Sequence, residues 1–531
     1  MKKLRTYIRK MSIKLASIVF ILMYSCTEGF QEMNTNPLAY TNPIVNDMFA
    51  YAIARGSLSG TDGDSVDLRY CSSLVQFFAS LWTTRWYGDK YNQDNMNFWG
   101  RLFDQGYTSY LKEIEQIISL VKDDPELVNK YAIARIWRVF CYHRITDIHG
   151  DIPYSKALKG YLENIYKVDY DPQSEIYADM LKELEEAANS LNPSKASYGN
   201  SDFIYQGNTE KWQKFAYSLM LRLGMRLTKV DPAMAEIWVK KAIAGGVMQS
   251  NEDVALLIHT ANENRLNYNA TNAFIWLHEM NVAYKGVHVS KLSKTFIDFL
   301  IEHNDPRLPI YSTLWEGNAD QSKLSETTLP EIQKGLPNGY DEVTIKSIIP
   351  DWNNNMLKEY SEINRWTIGS TTAPTIFQDY SEVELLLSEA ALRGWNNSDP
   401  EIHYENGVTA EMEMITKLPG NMEISQSSIN EYLSLNPFPS SGTFEDKMKC
   451  IHYEMYIAHF MNNIEAYSNW RRTGYPELTP TNWPGNLTNG TIPRRIPYPT
   501  SEQVSNTDAY NAAIQRQGPD LLTTRIWWDK E

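Results

Sequence analysis

Apolar residues recur at helical spacing along most of this chain, and no other feature limits its fold as strongly. Leu111, Ile114, Ile118 and Val121 form one stripe. Ile133, Ile136, Trp137, Phe140 and Cys141 form another, and Ile176, Met180, Leu184, Ala187 and Leu191 a third. Steps of three and four put such side chains on one helical face, which must be buried against a neighbour. Asp171 and Pro172 read as an N-cap and first-turn proline ahead of the third stripe. Ser381-Glu382-Val383-Glu384 reads as a capping box opening a helix that runs to Gly394. Trp212, Phe215, Leu219 and Leu223 mark a helix after Thr209, and Ile451, Met455 and Ala458 mark a late one. Convincing strands are few. The expected fold is mainly α, built from stacked helical hairpins. No 34-residue repeat is visible, which is compatible with a degenerate tetratricopeptide-like array.

The periodicity weakens between about residues 250 and 378, where Asn, Gly, Pro and aromatics follow in irregular order. The last sixty residues, with Pro476, Pro480, Pro484, Pro493, Pro497 and Pro499, are similar. Long loops on a rigid scaffold are where binding is expected.

Residues 1–14 carry Lys2, Lys3, Arg5, Arg9, Lys10 and Lys14 with no acidic residue, and an apolar stretch of ten residues, 15–24, follows. That is half the length of a membrane span, so residues 1–25 read as a secretory signal. Ser25 and Cys26 come next, the arrangement cleaved and lipidated in bacterial lipoproteins. The alternative is an ordinary signal with Cys26 unmodified. No second stretch of about 18 apolar residues occurs. The whole chain has 50 Lys+Arg and 65 Asp+Glu; without six basic residues of the signal, 44 face 65, a net of −21. So acidic a surface repels phosphate backbones, and nucleic acid is not an expected partner. A mature chain of about 500 residues exceeds one ordinary core, so length alone suggests two or three lobes.

Catalytic signatures are missing. No GxSxG elbow, P-loop or GxGxxG occurs, and His278-Glu279 lacks the second histidine of HExxH. His143, Asp147 and His149 read as a polar cluster at a helix end. Asp62-Gly63-Asp64-Ser65-Val66-Asp67 looks faintly like a calcium loop, but Ser73 stands where an EF-hand needs Glu. A solvated acidic turn is expected, with room for an incidental calcium ion and no other metal or cofactor. Cys71, Cys141 and Cys450 lie in apolar runs and read as buried thiols, with a disulfide between two of them left open.

Several segments resemble the SusD/RagB family of outer-membrane nutrient-binding lipoproteins, in particular its SusD-like subgroup. Asn34-Thr35-Asn36-Pro37 resembles the start of the mature fold. Residues 132–158 (AIARIWRVFCYHRITDIHGDIPYSKAL) resemble the family's helix followed by GDIPY. Residues 170–177 resemble YDxQxxIY, 207–226 the GDxxKWxxFANSLxLRLAMR helix, 305–308 DPRL, and 380–395 YAEVxFLxAEAAxRGW. Residues 469–474 and 492–498 resemble RRTG and IPRRxPYP, and 510–528 the NYxxAI…DxxTTRVWWD tail. The blocks run in order from residue 34 to 528. Asn208 stands where the helix motif often has Asp, and Met23 and Tyr24 fit the lipobox loosely. The resemblance implies one helical domain over residues 26–531, with tetratricopeptide-like pairs as scaffold and a loop-rich insert at about 250–378. It implies a lipid anchor at Cys26 on the outer-membrane surface. It also implies a SusC-like TonB-dependent transporter as partner, receiving oligosaccharide or peptide. The matching blocks are mostly scaffold: glycine and proline shape turns, and the paired arginines satisfy buried carboxylates or helix ends.

Sugar rings are held by aromatic stacking and by hydrogen bonds from amides, carboxylates and arginine. Residues 80–99 interleave these groups most densely. Trp82, Trp86, Tyr87 and Tyr91 alternate there with Arg85, Asp89, Asn92 and Gln93. In the family such an early segment contributes to the glycan site. Tyr268, Trp315, Trp352 and Trp366 in the middle loops are further candidates. The expected function is non-catalytic binding of a nutrient, an oligosaccharide in preference to a peptide. A peptide-binding RagB-like member and a surface glycan hydrolase are the alternatives.

Overall fold

The structure, a computed structural model, describes residues 4, 7, 44–57, 66–83, 88–93, 98–165, 167–260, 267–279, 290–316 and 325–531. The signal segment, Cys26 and residues 58–65, which hold most of the calcium-like loop, lie outside these. Contacts divide the chain at Val45, and residues 46–531 form one unit.

The longer helices are α1 (Val45–Gly56), α2 (Leu111–Val121), α3 (Val128–His149), α4 (Gln173–Ser190), α5 (Thr209–Arg226) and α6 (Pro232–Gly245). They continue as α7 (Lys294–Glu302), α8 (Tyr380–Leu392), α9 (Pro400–Met414), α10 (Phe444–Ala458), α11 (Asn463–Thr473) and α12 (Thr507–Gln517). Helices α2 to α6 each pack on the next in chain order, and α8 packs on both α9 and α10. This is the tetratricopeptide-like pairing. Helix α3 is covered on several sides, so Ile133, Ile136, Trp137, Phe140 and Cys141 are buried together with polar residues of the opposite face. The Trp137 indole donates to the Ala52 carbonyl at 3.2 Å and ties α3 to α1. In α2 the fully buried position is Ile117, with Ile118 half-buried beside it.

Two helix starts differ from the local reading. Helix α4 begins at Gln173, and its first N–H is capped by the carboxylate of Asp151 at 2.8 Å, while Asp171 accepts from Tyr154 and Ser155 instead. Helix α8 is capped by Asp379, which accepts from the Glu382 N–H at 2.6 Å. Ser381 donates to the Gly407 carbonyl, so the expected capping box is replaced by a cap two residues earlier and a contact to α9. The middle segment also holds α7, whose Phe296, Ile297 and Leu300 are buried under a Ser293 cap; the weak periodicity hid it.

Buried ion pairs fasten the pairs to each other. Arg222 of α5 forks onto Glu382 of α8 at 2.6 Å on both oxygens. Arg226 donates to Glu465 of α11 at 2.6 and 2.7 Å, and Arg472 of α11 to Glu389 of α8 at 2.8 and 2.7 Å. Arg307 joins Asp305 to Glu454, and Arg494 joins Asp529. The arginine-rich blocks are therefore joints, each satisfying a carboxylate that burial would otherwise strand.

Strands are short. β1 (Phe78–Ala79) pairs antiparallel with β3 (Lys291–Leu292), and β2 (Ala255–Leu257) with β7 (Thr375–Gln378). β4 (Ser312–Glu316) lies between β5 (Ser325–Thr327) and β6 (Glu362–Ile363). They join loops to the helical body. Cys71, Cys141 and Cys450 are free thiols, the first two buried and Cys450 half-buried.

Candidate functional site

Three loop segments far apart in sequence meet at one place: residues 76–93, 336–360 and 479–490. A small core underlies the first two. Ala79 and Leu81 pack there with Leu336, Ile345, Trp352, Leu357 and Tyr360. The Asn338 amide donates to the Phe78 carbonyl at 2.8 Å, and the Gly339 N–H to Asp89 at 3.2 Å. Lys90 is fully buried and pairs with Asp89 at 2.9 Å. The proline-rich tail closes over this. Thr481 donates its hydroxyl to the Asp89 carbonyl at 2.6 Å and its N–H to the Tyr91 hydroxyl at 3.0 Å. Leu487 N–H donates to the Tyr91 carbonyl at 2.9 Å, and the Asn92 amide to the Gly485 carbonyl at 3.0 Å.

Two glycines permit the approach. At Gly339, with φ +81°, a Cβ would lie 2.4 Å from Thr481 Cβ. At Gly88 it would lie 2.5 Å from the Arg69 carbonyl oxygen. A side chain at Gly339 would push the middle loop off the tail, and one at Gly88 would push that segment off residues 69–73.

Trp483 stands at the seam, half-buried, with its indole N–H donating to Asp341 at 2.8 Å. Partial burial is the largest influence on the Asp341 carboxyl and pushes its pKa up. Donors from Thr344, Trp483 and Val343 outweigh that and leave it below the usual carboxylate range. Trp82 is half-buried, with its N–H on the Ser80 hydroxyl at 3.1 Å. Gln93 is half-buried and Asn482 exposed. The seam thus offers indoles beside amides and an ionised carboxylate, a set suited to ring C–H faces and ring hydroxyls.

The sequence candidates divide accordingly. Trp82 and Asn92 lie at the seam. Tyr91 is 1% exposed and Trp352 4%, so both support the seam from beneath and have no free ring face to stack. Burial also raises the Tyr91 phenol pKa. Tyr268 and Trp366 belong to another junction, where Asn269 and Asn272 bind the backbone of residues 368–373. Trp366 is 57% exposed there and Tyr268 half-buried. Trp315 lies on β4 opposite Glu326. Arg85, Trp86 and Tyr87 fall outside the described residues. Trp483, Asp341 and Asn338 were missed. The tail TPTNWPGNLTNG mixes an indole with amides and glycines much as residues 80–99 do, and that composition was the available signal.

One buried cluster has metal-ligand types. Ligand atoms of His143, Asp147 and Glu465 lie within 4.8 Å of one another. The cation they hold is the Arg226 guanidinium, and Asp147 also accepts from Tyr177 and Trp528. Burial, with Arg222 and its neighbours, drives the His143 pKa well down and keeps the ring neutral. The cluster is a structural hub. Asp67 of the calcium-like loop is likewise committed, accepting from Asn463 and from the Ile464 N–H at the start of α11. Among the described residues no helix is long and apolar enough to cross a membrane.

A paired-helix scaffold whose loops build an aromatic and amide seam defines a binding protein. The chain belongs to the SusD-like family of outer-membrane nutrient-binding proteins: the family model described as "Starch-binding associating with outer membrane" matches residues 41–499. Similar solved structures agree. A chitin-binding protein is 30% identical with a TM-score of 0.79, over 92% of this chain and 100% of that one. A Bacteroidetes SusD-like protein is 25% identical with a TM-score of 0.80, over 92% and 100%. A chitin-binding SusD homologue from Flavobacterium johnsoniae is 23% identical with a TM-score of 0.75, over 92% and 99%, and supports the fold. No curated protein matches the chain. Members of the family are binding proteins.

Proposed function

We propose that this chain is a cell-surface oligosaccharide-binding lipoprotein. On this reading it is anchored through Cys26 and hands its ligand to a SusC-like TonB-dependent transporter. The observation that carries the binding role is the seam that draws the segments bearing Trp82 and Trp483, from opposite ends of the chain, together through Asn92 on Gly485, Thr481 on Asp89 and Trp483 on Asp341. Arg85, Trp86 and Tyr87, which lie between Thr83 and Gly88 in the sequence, are further contacts on this reading. Trp315, Tyr268 and Trp366 extend the ligand path over the middle loops. Stacking needs no cofactor, so chelation leaves binding unchanged on this reading.

Two of the similar structures are of chitin-binding proteins, which makes chitooligosaccharides the first ligands to test. Affinity electrophoresis and calorimetry over a panel of chitooligosaccharides, starch fragments and peptides decide the class. Retardation by a glycan that Trp82→Ala and Trp483→Ala both weaken supports the reading. Binding only to peptides, or glycan binding indifferent to both substitutions, overturns it. Co-purification with a TonB-type barrel tests the partner.

A further inference from the structure

Away from the seam, the connection from α8 to α9 sets a hydroxyl, an imidazole and a carboxylate in line. His403 lies in the first turn of α9. Its Nδ1 is 2.6 Å from Oε2 of Glu384 on α8, and its Nε2 is 2.6 Å from the Ser398 hydroxyl oxygen. Glu384 is buried, and its Oε2 also accepts from the Asn406 amide at 3.3 Å, so the carboxylate is held in place. A carboxylate at Nδ1 selects the tautomer with its proton on that nitrogen. The Nε2 lone pair then faces the Ser398 proton, which is the arrangement of a serine activated by a general base. Asn396 brings its amide nitrogen to 3.3 Å from the same Nε2, beside the hydroxyl. Ser398 is exposed to substrate. The chain order Glu384, Ser398, His403 carries no sequence signature, because such constellations are defined by geometry and roles.

We propose that Ser398, His403 and Glu384 form an acyl-transfer site that hydrolyses small carboxylic esters, with Asn396 donating to the oxyanion. Ser398 Oγ bonds to the ester carbonyl carbon while its proton passes to His403 Nε2. The carbon–oxygen bond to the alcohol then breaks, and the leaving oxygen takes that proton. Water, deprotonated by the same Nε2, cleaves the acyl-serine and releases the carboxylic acid, restoring the hydroxyl. Glu384 is the positioning residue, steadying the imidazolium that forms in each half. The site is open, so it suits short acyl groups such as acetyl on an accessible alcohol. Trp395, half-exposed and three residues from Ser398, offers an apolar surface for the alcohol portion.

The test uses the full chain with a fluorophosphonate probe and p-nitrophenyl acetate. Expected are labelling that peptide mass spectrometry places on Ser398, and hydrolysis above buffer that falls to the buffer rate in Ser398→Ala. His403→Gln should do the same. Glu384→Gln should lower kcat by tenfold or more with little change in KM. Ser398 is exposed, so its alanine variant keeps the fold, which circular dichroism checks. No label on Ser398, or hydrolysis unchanged in Ser398→Ala, overturns the proposal. Glycan retention in Ser398→Ala reads the seam separately and is expected to be unchanged.

Discussion

The Trp483 indole N–H donates to Asp341 Oδ2 at 2.8 Å, a bond that closes the proline-rich tail onto the middle loop 142 residues earlier. It fixes the orientation of an indole whose ring is partly open to solvent. A ring already held in place loses little rotamer freedom when a ligand stacks on it.

Replacing either seam indole is expected to weaken glycan binding without unfolding the protein. Trp483→Ala and Trp82→Ala should each cost about fivefold to tenfold in Kd, on the order of the ~1 kcal/mol a stacked aromatic pair contributes. Calorimetry on the retarded glycan measures this, with circular dichroism as the control.

Asp341→Ala should weaken binding less, because it frees the indole without removing it. In the double variant with Trp483→Ala the losses should not add, since Asp341 acts through that ring. A double-mutant cycle isolates the coupling.

The buried joints should respond asymmetrically. Arg226→Ala strands Glu465 and Asp147 in the interior and is expected to cost about 3–5 kcal/mol. Replacing Arg226 and Glu465 together by apolar residues of similar volume should cost less, because Glu465 is no longer left unpaired and Asp147, though it loses its cation, keeps the Tyr177 and Trp528 donors. Denaturant unfolding of the two variants makes the comparison.

Asp379 and Glu411 should each subtract from stability as pH rises from 5 to 8. Burial, the largest cause in each, raises both carboxyls to about 7, with Glu411 adding to the rise at Asp379. The folded chain therefore holds protons that the unfolded chain releases above about pH 4, so stability drops as pH climbs through 7. Glu411→Gln keeps an acceptor for the Tyr311 hydroxyl and removes this titration. Its melting temperature relative to the parent should rise as pH goes from 5 to 8. Glu382, held well down by Arg222 and His459 against its burial, acts only in acid and does not compete in that window.

Much of the scaffold was readable. The stripes of α2, α3 and α4 bury as their spacing predicts except at Ile118 and Leu191, which are half-buried, and Asn208, with its side chain on the Lys211 N–H, opens α5 where the sequence places a helix after Thr209. Caps were read less well, because the groups that satisfy helix ends come from elsewhere: Asp151 caps α4 from the start of the preceding connection, just after α3, and Asp67 caps α11 from nearly four hundred residues away. Aromatic candidates were found by interleaving with polar groups, a criterion that selects loops and cannot separate Trp352, sealed beneath the seam, from Trp82 at its edge.

By itself the sequence determined the helical class, the paired stacking and the family, since periodicity and ordered motifs are local properties that survive without knowledge of contacts. Tertiary structure alone decided which aromatics face outward, that Trp483 closes onto Asp341, and that Ser398 lines up with His403 and Glu384. Those outcomes depend on where distant segments meet, and burial and hydrogen-bond geometry between such segments leave no periodic trace in the chain.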